Sequence, residues 1–196
     1  MKDLMQQIIK DGLKESIEIK SKILDSNLPN QIENASTLIE RCLQNDGKIF
    51  FAGNGGSFAD SQHLSTEFIS KFLFNRSALP AIALGTNSSS MSAISNDYNY
   101  KDVFSRELEA LASEKDIFIP ISTSGNSTNL IEAVKTAKIK GMKIIAFTGE
   151  TGGALNELCE CIKVPSSNVA RIQECHILIG HLCCQIVEKK IFKPDE

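Results

Sequence analysis

A histidine and a glutamate stand four residues apart in the segment GSFADSQHLSTEF, where His63 precedes Glu67. In a helix, two residues at this spacing lie about 40° apart on one face. The spacing suits a pair of metal ligands, and it equally suits a general acid beside a general base. Taken alone, however, the pair is most simply an ordinary His–Glu contact on a solvated helix face.

A second polar pair falls in the apolar segment 171–189, near the carboxyl terminus. Gln173 is predicted to face inward, and an inward-facing amide must find hydrogen-bond partners or cost roughly 1–3 kcal/mol. His181 lies about 80° from Gln173 around the helix, two turns further along. Both side chains are therefore predicted to face one site. Gln173 shares its helical stripe with Ile177, Gly180, Cys184 and Val187.

Two of the three histidines in the chain are thus predicted to meet at one carboxylate. Near a cation Glu67 stays ionised, and once desolvated beside a substrate it can act as a general base. His181, with a pKa near its usual value of about 6.5, exchanges a proton at neutral pH. His176 points away from His181 and is predicted to be structural or on the surface.

Two turns rich in glycine and serine could hold an anion. They are GNGGS at 53–57 and STSGNS at 122–127. Small residues let the backbone approach the anion, and the N–H groups of the following helical turn point at it. The second turn adds four hydroxyl groups, and neither turn contains Lys or Arg. Such a neutral cradle suits a sugar monophosphate better than a nucleoside triphosphate.

A base and a proton shuttle beside a sugar-phosphate cradle fit an aldose–ketose isomerisation. The base takes a proton from the carbon next to the carbonyl group, and an enediol forms. A metal at the same place would polarise the oxygens as a Lewis acid.

Two familiar nucleotide motifs are excluded. No Lys follows either turn, so the Walker pattern GxxxxGK[ST] is missing. The dinucleotide pattern GxGxxG begins at Gly53 but has Phe58 at its last position. No acidic residue closes the second predicted strand to hold a ribose. A dinucleotide-binding protein is therefore the least favoured class.

Five short apolar runs, each bounded by turn residues, supply the elements that must position these side chains. Runs of this kind are typical of strands buried on both faces of a parallel sheet. Helical segments lie between them, so the sequence predicts an α/β fold with a doubly wound five-stranded parallel sheet. Ligands of such sheets bind at the carboxyl ends of the strands, where the two turns lie. The runs are 48–52, 80–84, 116–121, 143–147 and 161–164.

Helices are predicted at 2–26 and 31–44, after Ser57 as an N-cap through residue 71, and at 127–140 with Gly141 following. The first helix carries an apolar stripe that its own sheet does not need, so it is expected to pack on a partner subunit. The whole chain, 1–196, is read as one domain in which residues 1–45 contribute to an oligomer interface. The stripe consists of Leu4, Ile8, Ile17 and Leu24.

Charge and composition narrow the possible partners. The formal net charge is -3 and no run of Lys and Arg occurs, so general binding to nucleic acid or a membrane surface is not expected. No signal peptide or membrane span is apparent, which favours a cytoplasmic protein. The six cysteines form no C-x-x-C pair and are expected to be reduced and mostly buried.

Three motifs together resemble those of the phosphoheptose isomerases, which have the sugar-isomerase (SIS) fold, a flavodoxin-like three-layer sandwich. They are GNGGSFADSQHLSTEF, TSGNSTNLIEA and RIQECHILIGH, and the resemblance covers nearly the whole chain. It implies conversion of D-sedoheptulose 7-phosphate to D-glycero-D-manno-heptose 7-phosphate, the first step towards nucleotide-activated heptose for surface glycans such as lipopolysaccharide and capsule. It also implies a homotetramer with sites between subunits, and one zinc ion per subunit.

The resemblance also assigns residues. Glu67 would be the catalytic base and His181 its acid/base partner, and the metal ligands would be His63, Glu67, Gln173 and His181. Asn96 and Asp97, a polar pair in a loop, are assigned by the resemblance alone. The substrate-binding residues would be Asn54, Gly55, Gly56, Ser57, Glu67, Asn96, Asp97, Ser122, Thr123, Ser124, Ser127 and Gln173.

Gln is an unusual zinc ligand, and Glu67 cannot readily be both a tight ligand and a free base. A weakly held metal that shifts as the substrate enters would resolve this conflict.

Two alternatives remain open at this stage. A regulator of bacterial replication initiation with the SIS fold would use the surface of the oligomer to bind a protein. Another sugar-phosphate enzyme of the same fold, an amino-sugar isomerase or etherase, usually has further domains or a longer chain.

Overall fold

The structure, a computed structural model, describes residues 2–192. In this part of the chain five strands form one sheet in the order β2-β1-β3-β4-β5, and every neighbouring pair is parallel. The predicted doubly wound α/β fold is confirmed, and each predicted apolar run overlaps one strand. The strands are β1 Ile49–Gly53, β2 Ala81–Ala83, β3 Ile117–Ser122, β4 Lys143–Thr148 and β5 Glu160–Lys163.

The apolar runs are continuous because both faces of the sheet are covered. Along β1, Ile49 and Phe51 belong to one buried cluster, whereas Phe50 and Ala52 belong to the other. All five residues of β1 are buried, as are all six of β3. Burial on both faces removes the alternation of polar and apolar residues that marks a half-exposed strand.

Seven α-helices, together with two short 3₁₀ turns, surround the sheet in the described residues. The second helix starts at Leu28, earlier than predicted, because Pro29 occupies its first turn, where no N–H partner is needed. The helices are α1 Lys2–Leu24, α2 Leu28–Gln44, α3 Gly56–Ile69, α4 Ser88–Asp97, α5 Val103–Leu111, α6 Thr128–Ile139 and α7 Val169–Phe192.

The prediction that Ser57 caps the third helix is wrong. The N-cap is Gly55, with φ 56° and no side-chain cap, and Ser57 lies buried inside the first turn. A positive φ of this size favours glycine, so the chain turns at Gly55 and the helix starts earlier than a serine cap would allow. At its other end α3 stops at Ile69 rather than at residue 71. Gly141, with φ 75°, follows the end of α6 as predicted.

Helix α1 buries apolar side chains only near its carboxyl end, although Arg171 also donates to the backbone oxygen of Gly12 at 2.9 Å. Ile19 and Ile23 are buried, whereas Leu4, Ile8 and Ile17 are 63%, 63% and 66% exposed. All four predicted residues, including Leu24, are exposed in a single chain. They do not form one stripe, because Ile17 lies nine residues after Ile8, about 180° around the helix. Within residues 2–192, no helix combines the length and the apolar character that crossing a membrane would require.

Candidate active site

Helices α3 and α7 pack side by side on one face of the sheet. Gly56, the first residue of α3, lies against the amide of Gln173, in the second turn of α7. Further along, Leu64 of α3 lies against Gly180 of α7. The two helices therefore run in the same direction, and residues from both stand along one shared seam.

His63, Glu67 and His181 meet at this seam. His63 Nε2 lies 3.1 Å from Glu67 Oε1 and 3.3 Å from His181 Nε2. One ligand atom from each of the three residues lies within 4.8 Å of those of the other two. The predicted meeting of two histidines with one carboxylate, drawn from segments 118 residues apart, is therefore present in the structure.

The pKa of His181 lies below its usual value, contrary to the expectation from the sequence. Partial burial lowers the pKa of His181, the nearby His63 lowers it further, and Glu67 acts in the opposite direction. The ring of Phe72 stacks on His181 with the ring centroids 5.2 Å apart. Since the two Nε2 atoms are within hydrogen-bond distance, at least one of these nitrogens must carry no proton. A neutral imidazole of this kind can accept a proton or bind a metal.

The donor set fits zinc. Zinc binds nitrogen and oxygen ligands at about 2.0–2.1 Å in tetrahedral geometry, so two ligand atoms stand roughly 3.3 Å apart. The separations of His63 Nε2 from Glu67 Oε1 and from His181 Nε2, 3.1 and 3.3 Å, are close to that spacing. Two imidazoles and one carboxylate also leave one position open, as in catalytic zinc sites.

Gln173, the predicted fourth ligand, lies at a different height along α7 from His181. It precedes His181 by eight residues, about 12 Å along the helix axis, and its amide lies against Gly56. A Cβ atom on Gly56 would stand 2.5 Å from Gln173 Nε2, so the Gln173 amide could not keep this position beside a larger residue. The role of Gln173 as a metal ligand stays a prediction.

Three of the four hydroxyl groups in the turn 122–127 take part in contacts within the turn itself. The hydroxyls of Ser122 and Ser127 are 3.2 Å apart, and Ser122 Oγ also accepts the N–H of Gly125. Ser124 Oγ accepts the N–H of Asn126. Ser127 is the N-cap residue of α6, so the free N–H groups of the first turn of that helix remain available to an anion.

A cavity of about 270 Å³ lies beside this turn, between the ends of β3 and β4 and the start of α7. Thr123, Ser124 and Gly149 line one side of the cavity, and Ser166 and Ile172 line another. Its position at the carboxyl ends of the strands agrees with the predicted place for a ligand.

Asn54 is held by two residues that the sequence did not reveal. Asn54 and Asn129 exchange two amide hydrogen bonds, of 3.0 and 2.9 Å, and the hydroxyl of Tyr100 donates to Asn54 Oδ1 at 3.1 Å. The position of Asn129 inside TSGNSTNLIEA was the only signal that could have drawn attention to it.

Asn96 and Asp97, predicted to lie in a loop, instead form the exposed end of helix α4. The Asn96 amide donates to the Asp97 carboxylate at 2.8 Å. Three residues further on, Tyr100 reaches Asn54 and so links this segment to the first turn. Substrate binding by Asn96 and Asp97 stays a prediction.

A buried ion pair closes the seam beyond His181. Arg76 Nε donates to Glu188 Oε1 at 2.8 Å, and the side chains are only 2% and 1% exposed. Burial acts to raise the pKa of Glu188, but N–H groups of Leu73 and Phe72 and the Arg76 guanidinium together outweigh it, so the pKa falls. Arg76 also donates to the backbone oxygen of Glu67 at 2.7 Å. The pair therefore ties the loop carrying Phe72 to both helices.

His176 has a structural role, as predicted. It is fully buried, and Nε2 lies 3.1 Å from the backbone oxygen of Thr148. Burial lowers the pKa of His176 to about 4, and the contact with Thr148 opposes the shift.

Comparison with known proteins agrees with this geometry. Residues 13–149 match the SIS domain family. A phosphoheptose isomerase of Aneurinibacillus thermoaerophilus is 49% identical over 191 residues, which cover 96% of each chain. Phosphoheptose isomerase 2 of Campylobacter jejuni is 47% identical over 190 residues, which cover 96% of this chain and 94% of that protein.

Solved structures of the same kind have a closely similar fold. Phosphoheptose isomerase from Neisseria gonorrhoeae superposes with a TM-score of 0.88 at 39% identity, covering 94% of this chain and 99% of that one. The phosphoheptose isomerase from Francisella tularensis gives a TM-score of 0.91 at 36% identity, with coverages of 94% and 98%. The chain therefore belongs to the phosphoheptose isomerase family of SIS-domain proteins.

Proposed function

We propose that this chain is an aldose–ketose isomerase that interconverts D-sedoheptulose 7-phosphate and D-glycero-D-manno-heptose 7-phosphate. The observation that carries the proposal is the contact of His63 Nε2 with Glu67 Oε1 and His181 Nε2, at 3.1 and 3.3 Å. Membership of the phosphoheptose isomerase family supports this choice of substrate. The product would enter the synthesis of nucleotide-activated heptose for surface glycans.

The phosphate group would bind at the turn 122–127. Serine and threonine hydroxyls and the N–H groups at the start of α6 offer donors there. The turn itself contains no cationic residue, and Lys101 lines the cavity next to Ser127. Gly55, Gly56 and Ser57 of the other turn, with Gln173 beside them, would contact the sugar chain, and Asn96 and Asp97 would complete the site. Holding the substrate at its phosphate leaves the carbonyl end free to reach Glu67 and His181.

Glu67 is the base and His181 the proton shuttle. Glu67 takes a proton from C1 of the ketose, and the electron pair forms a C1–C2 double bond while His181 protonates the carbonyl oxygen. His181 then removes the proton from the oxygen on C1, and Glu67 returns its proton to C2. A neutral imidazole carries one N–H, so His181 can give that proton to the carbonyl oxygen and regain one from the oxygen on C1.

Zinc would be held by His63, Glu67 and His181. Gln173 is the predicted fourth ligand, but its distance of about 12 Å along α7 from His181 does not support that role within one chain. When bound, zinc would polarise the substrate oxygens as a Lewis acid. We propose that the ion is held weakly enough to release Glu67 as the substrate enters.

A homotetramer in the cytoplasm is the proposed working form, with the whole chain acting as one domain. The exposed apolar side chains of α1 support this, because a large exposed apolar surface marks an interaction site. The first 45 residues would then bury their apolar side chains against a second copy of the chain.

The reaction is tested by incubating the purified protein with sedoheptulose 7-phosphate and detecting the aldose, with and without a chelator. Formation of the heptose 7-phosphate is the expected result. If the intact, folded protein forms no aldose in the presence of zinc, the proposal fails, and a regulator that binds a protein partner becomes the better account.

A further inference from the structure

Asn54 and Asn129 form a closed amide pair that joins the turn 53–57 to the first turn of α6. Asn54 follows β1, and Asn129 lies in the first turn of α6 with only 4% of its surface exposed. Asn54 Nδ2 donates to Asn129 Oδ1 at 3.0 Å, and Asn129 Nδ2 donates to Asn54 Oδ1 at 2.9 Å. Rotating the Asn54 amide alone would bring donor against donor and acceptor against acceptor. The buried Asn129 therefore opposes such a rotation.

Tyr100 completes the arrangement from outside the pair. Its hydroxyl donates to Asn54 Oδ1 at 3.1 Å, while the residue itself is 52% exposed. An amide oxygen accepts two hydrogen bonds and an amide nitrogen donates two. Oδ1 of Asn54 is thereby filled by Asn129 and Tyr100. One N–H of its Nδ2 remains uncommitted, so Asn54 can offer a ligand a donor and nothing else.

We propose that Asn129 and Tyr100 are positioning residues that fix the Asn54 amide as a donor to an acceptor oxygen of the sugar phosphate. The inference rests on the proposed function, in which Asn54 contacts the substrate. A cavity of about 430 Å³ borders Asn54, Tyr100 and Ser127, which leaves room for a ligand beside the pair. Holding the amide in one orientation before binding removes the cost of ordering it afterwards.

Tyr100→Phe tests the inference because it deletes only one exposed hydroxyl. KM should rise about 3- to 10-fold with kcat changed by less than about 2-fold, as expected for losing one hydrogen bond that orients a binding group. Tyr98→Phe is the matched control, since Tyr98 is 59% exposed and its ring packs on Arg106. The control should leave KM and kcat unchanged.

A double-mutant cycle separates positioning from a direct or purely structural role. In an Asn54→Ala background, Tyr100→Phe and Asn129→Ala should each change KM by less than about 2-fold, because the group they orient is gone. If Tyr100→Phe or Asn129→Ala raises KM by the same factor in the Asn54→Ala background as in the wild type, the inference is wrong. It is also wrong if Tyr100→Phe alone has the wild-type KM. Melting temperatures of all variants identify any loss of folding, and Tyr100→Phe decides the matter if Asn129→Ala is unstable.

The same coupling can be measured without turnover, by calorimetry of sedoheptulose 7-phosphate binding to variants that also carry Glu67→Gln. Binding that weakens with Tyr100→Phe only when Asn54 is present supports the inference even if the wild type isomerises nothing. Failure of the proposed reaction and failure of this inference are therefore distinguishable.

Discussion

Gly180 of α7 lies directly against Leu64 of α3. A Cβ atom on Gly180 would stand 2.5 Å from one methyl carbon of Leu64, which is closer than real Cβ atoms approach. Leu64 follows His63 and Gly180 precedes His181, so this contact sets the helix spacing at the level where the two imidazoles meet. The close approach of α3 and α7 at the active site thus depends on a residue without a side chain.

Gly180→Ala should therefore destabilise the fold and reduce activity together. Overpacking at such a contact costs about 1–3 kcal/mol, although alanine alone favours a helix by about 1 kcal/mol relative to glycine. Gly12→Ala in α1 is the matched control, because no atom lies within 4 Å of a Cβ placed there. We expect the control to be neutral or stabilising. Denaturant unfolding and kcat/KM measure both effects, and a fully stable and active Gly180→Ala would contradict the packing argument.

Glu67→Gln should abolish most of the turnover. The amide keeps the size of the side chain but cannot accept the carbon-bound proton, and general-base catalysis contributes about 10²- to 10⁴-fold. We expect kcat to fall within that range while the melting temperature changes little. Glu132→Gln, at a surface glutamate paired with Lys135, serves as control. Undiminished turnover in Glu67→Gln would remove this residue from the base role.

Zinc binding should depend on the imidazoles of the cluster and not on His176. The wild type is expected to bind about one ion per chain and to melt at a higher temperature in its presence, because a ligand of the folded state stabilises it. His63→Ala and His181→Ala should lose both effects, and His176→Gln should keep them. Metal content by mass spectrometry and thermal melts measure this independently of turnover. Equal metal content in His63→Ala and the wild type would place the ion elsewhere.

The parts of this site that could be predicted are those that produce a regular local pattern of residues in the sequence. The strands could be predicted because burial on both faces gives continuous apolar runs, and His63 and Glu67 because they share one helix. The pairs Asn54–Asn129 and Arg76–Glu188 join residues 75 and 112 positions apart, and no local pattern marks such contacts. Ser57 was misread because a serine before a helical segment is typically a cap. At this turn the positive φ of Gly55 decided where the helix begins.

His176 should make the fold less stable as the pH falls below its usual pKa. Its pKa is lowered from 6.5 to about 4 in the folded protein, so between these values the unfolded chain binds more protons. Nδ1 is buried without a partner among the described residues, and a proton there would be buried unpaired. Between pH 7.5 and 5.5 we expect a loss of roughly 1 kcal/mol from this residue. His176→Gln should flatten that part of the stability curve, and an unchanged slope would contradict the assignment.

Charge on the exposed apolar residues of α1 should break the oligomer. Ile8 and Ile17 are 63% and 66% exposed in the single chain, and burying each against a partner helix would contribute about 1.5–3 kcal/mol. Ile8→Glu combined with Ile17→Glu should therefore yield smaller species by light scattering after size-exclusion chromatography. Gln7→Glu, at an exposed position of the same helix about 100° from Ile8 and 80° from Ile17, is the control and should keep the mass of four chains. If sites lie between subunits, turnover falls with the mass. A double variant that keeps the wild-type mass and activity would show that α1 covers no partner.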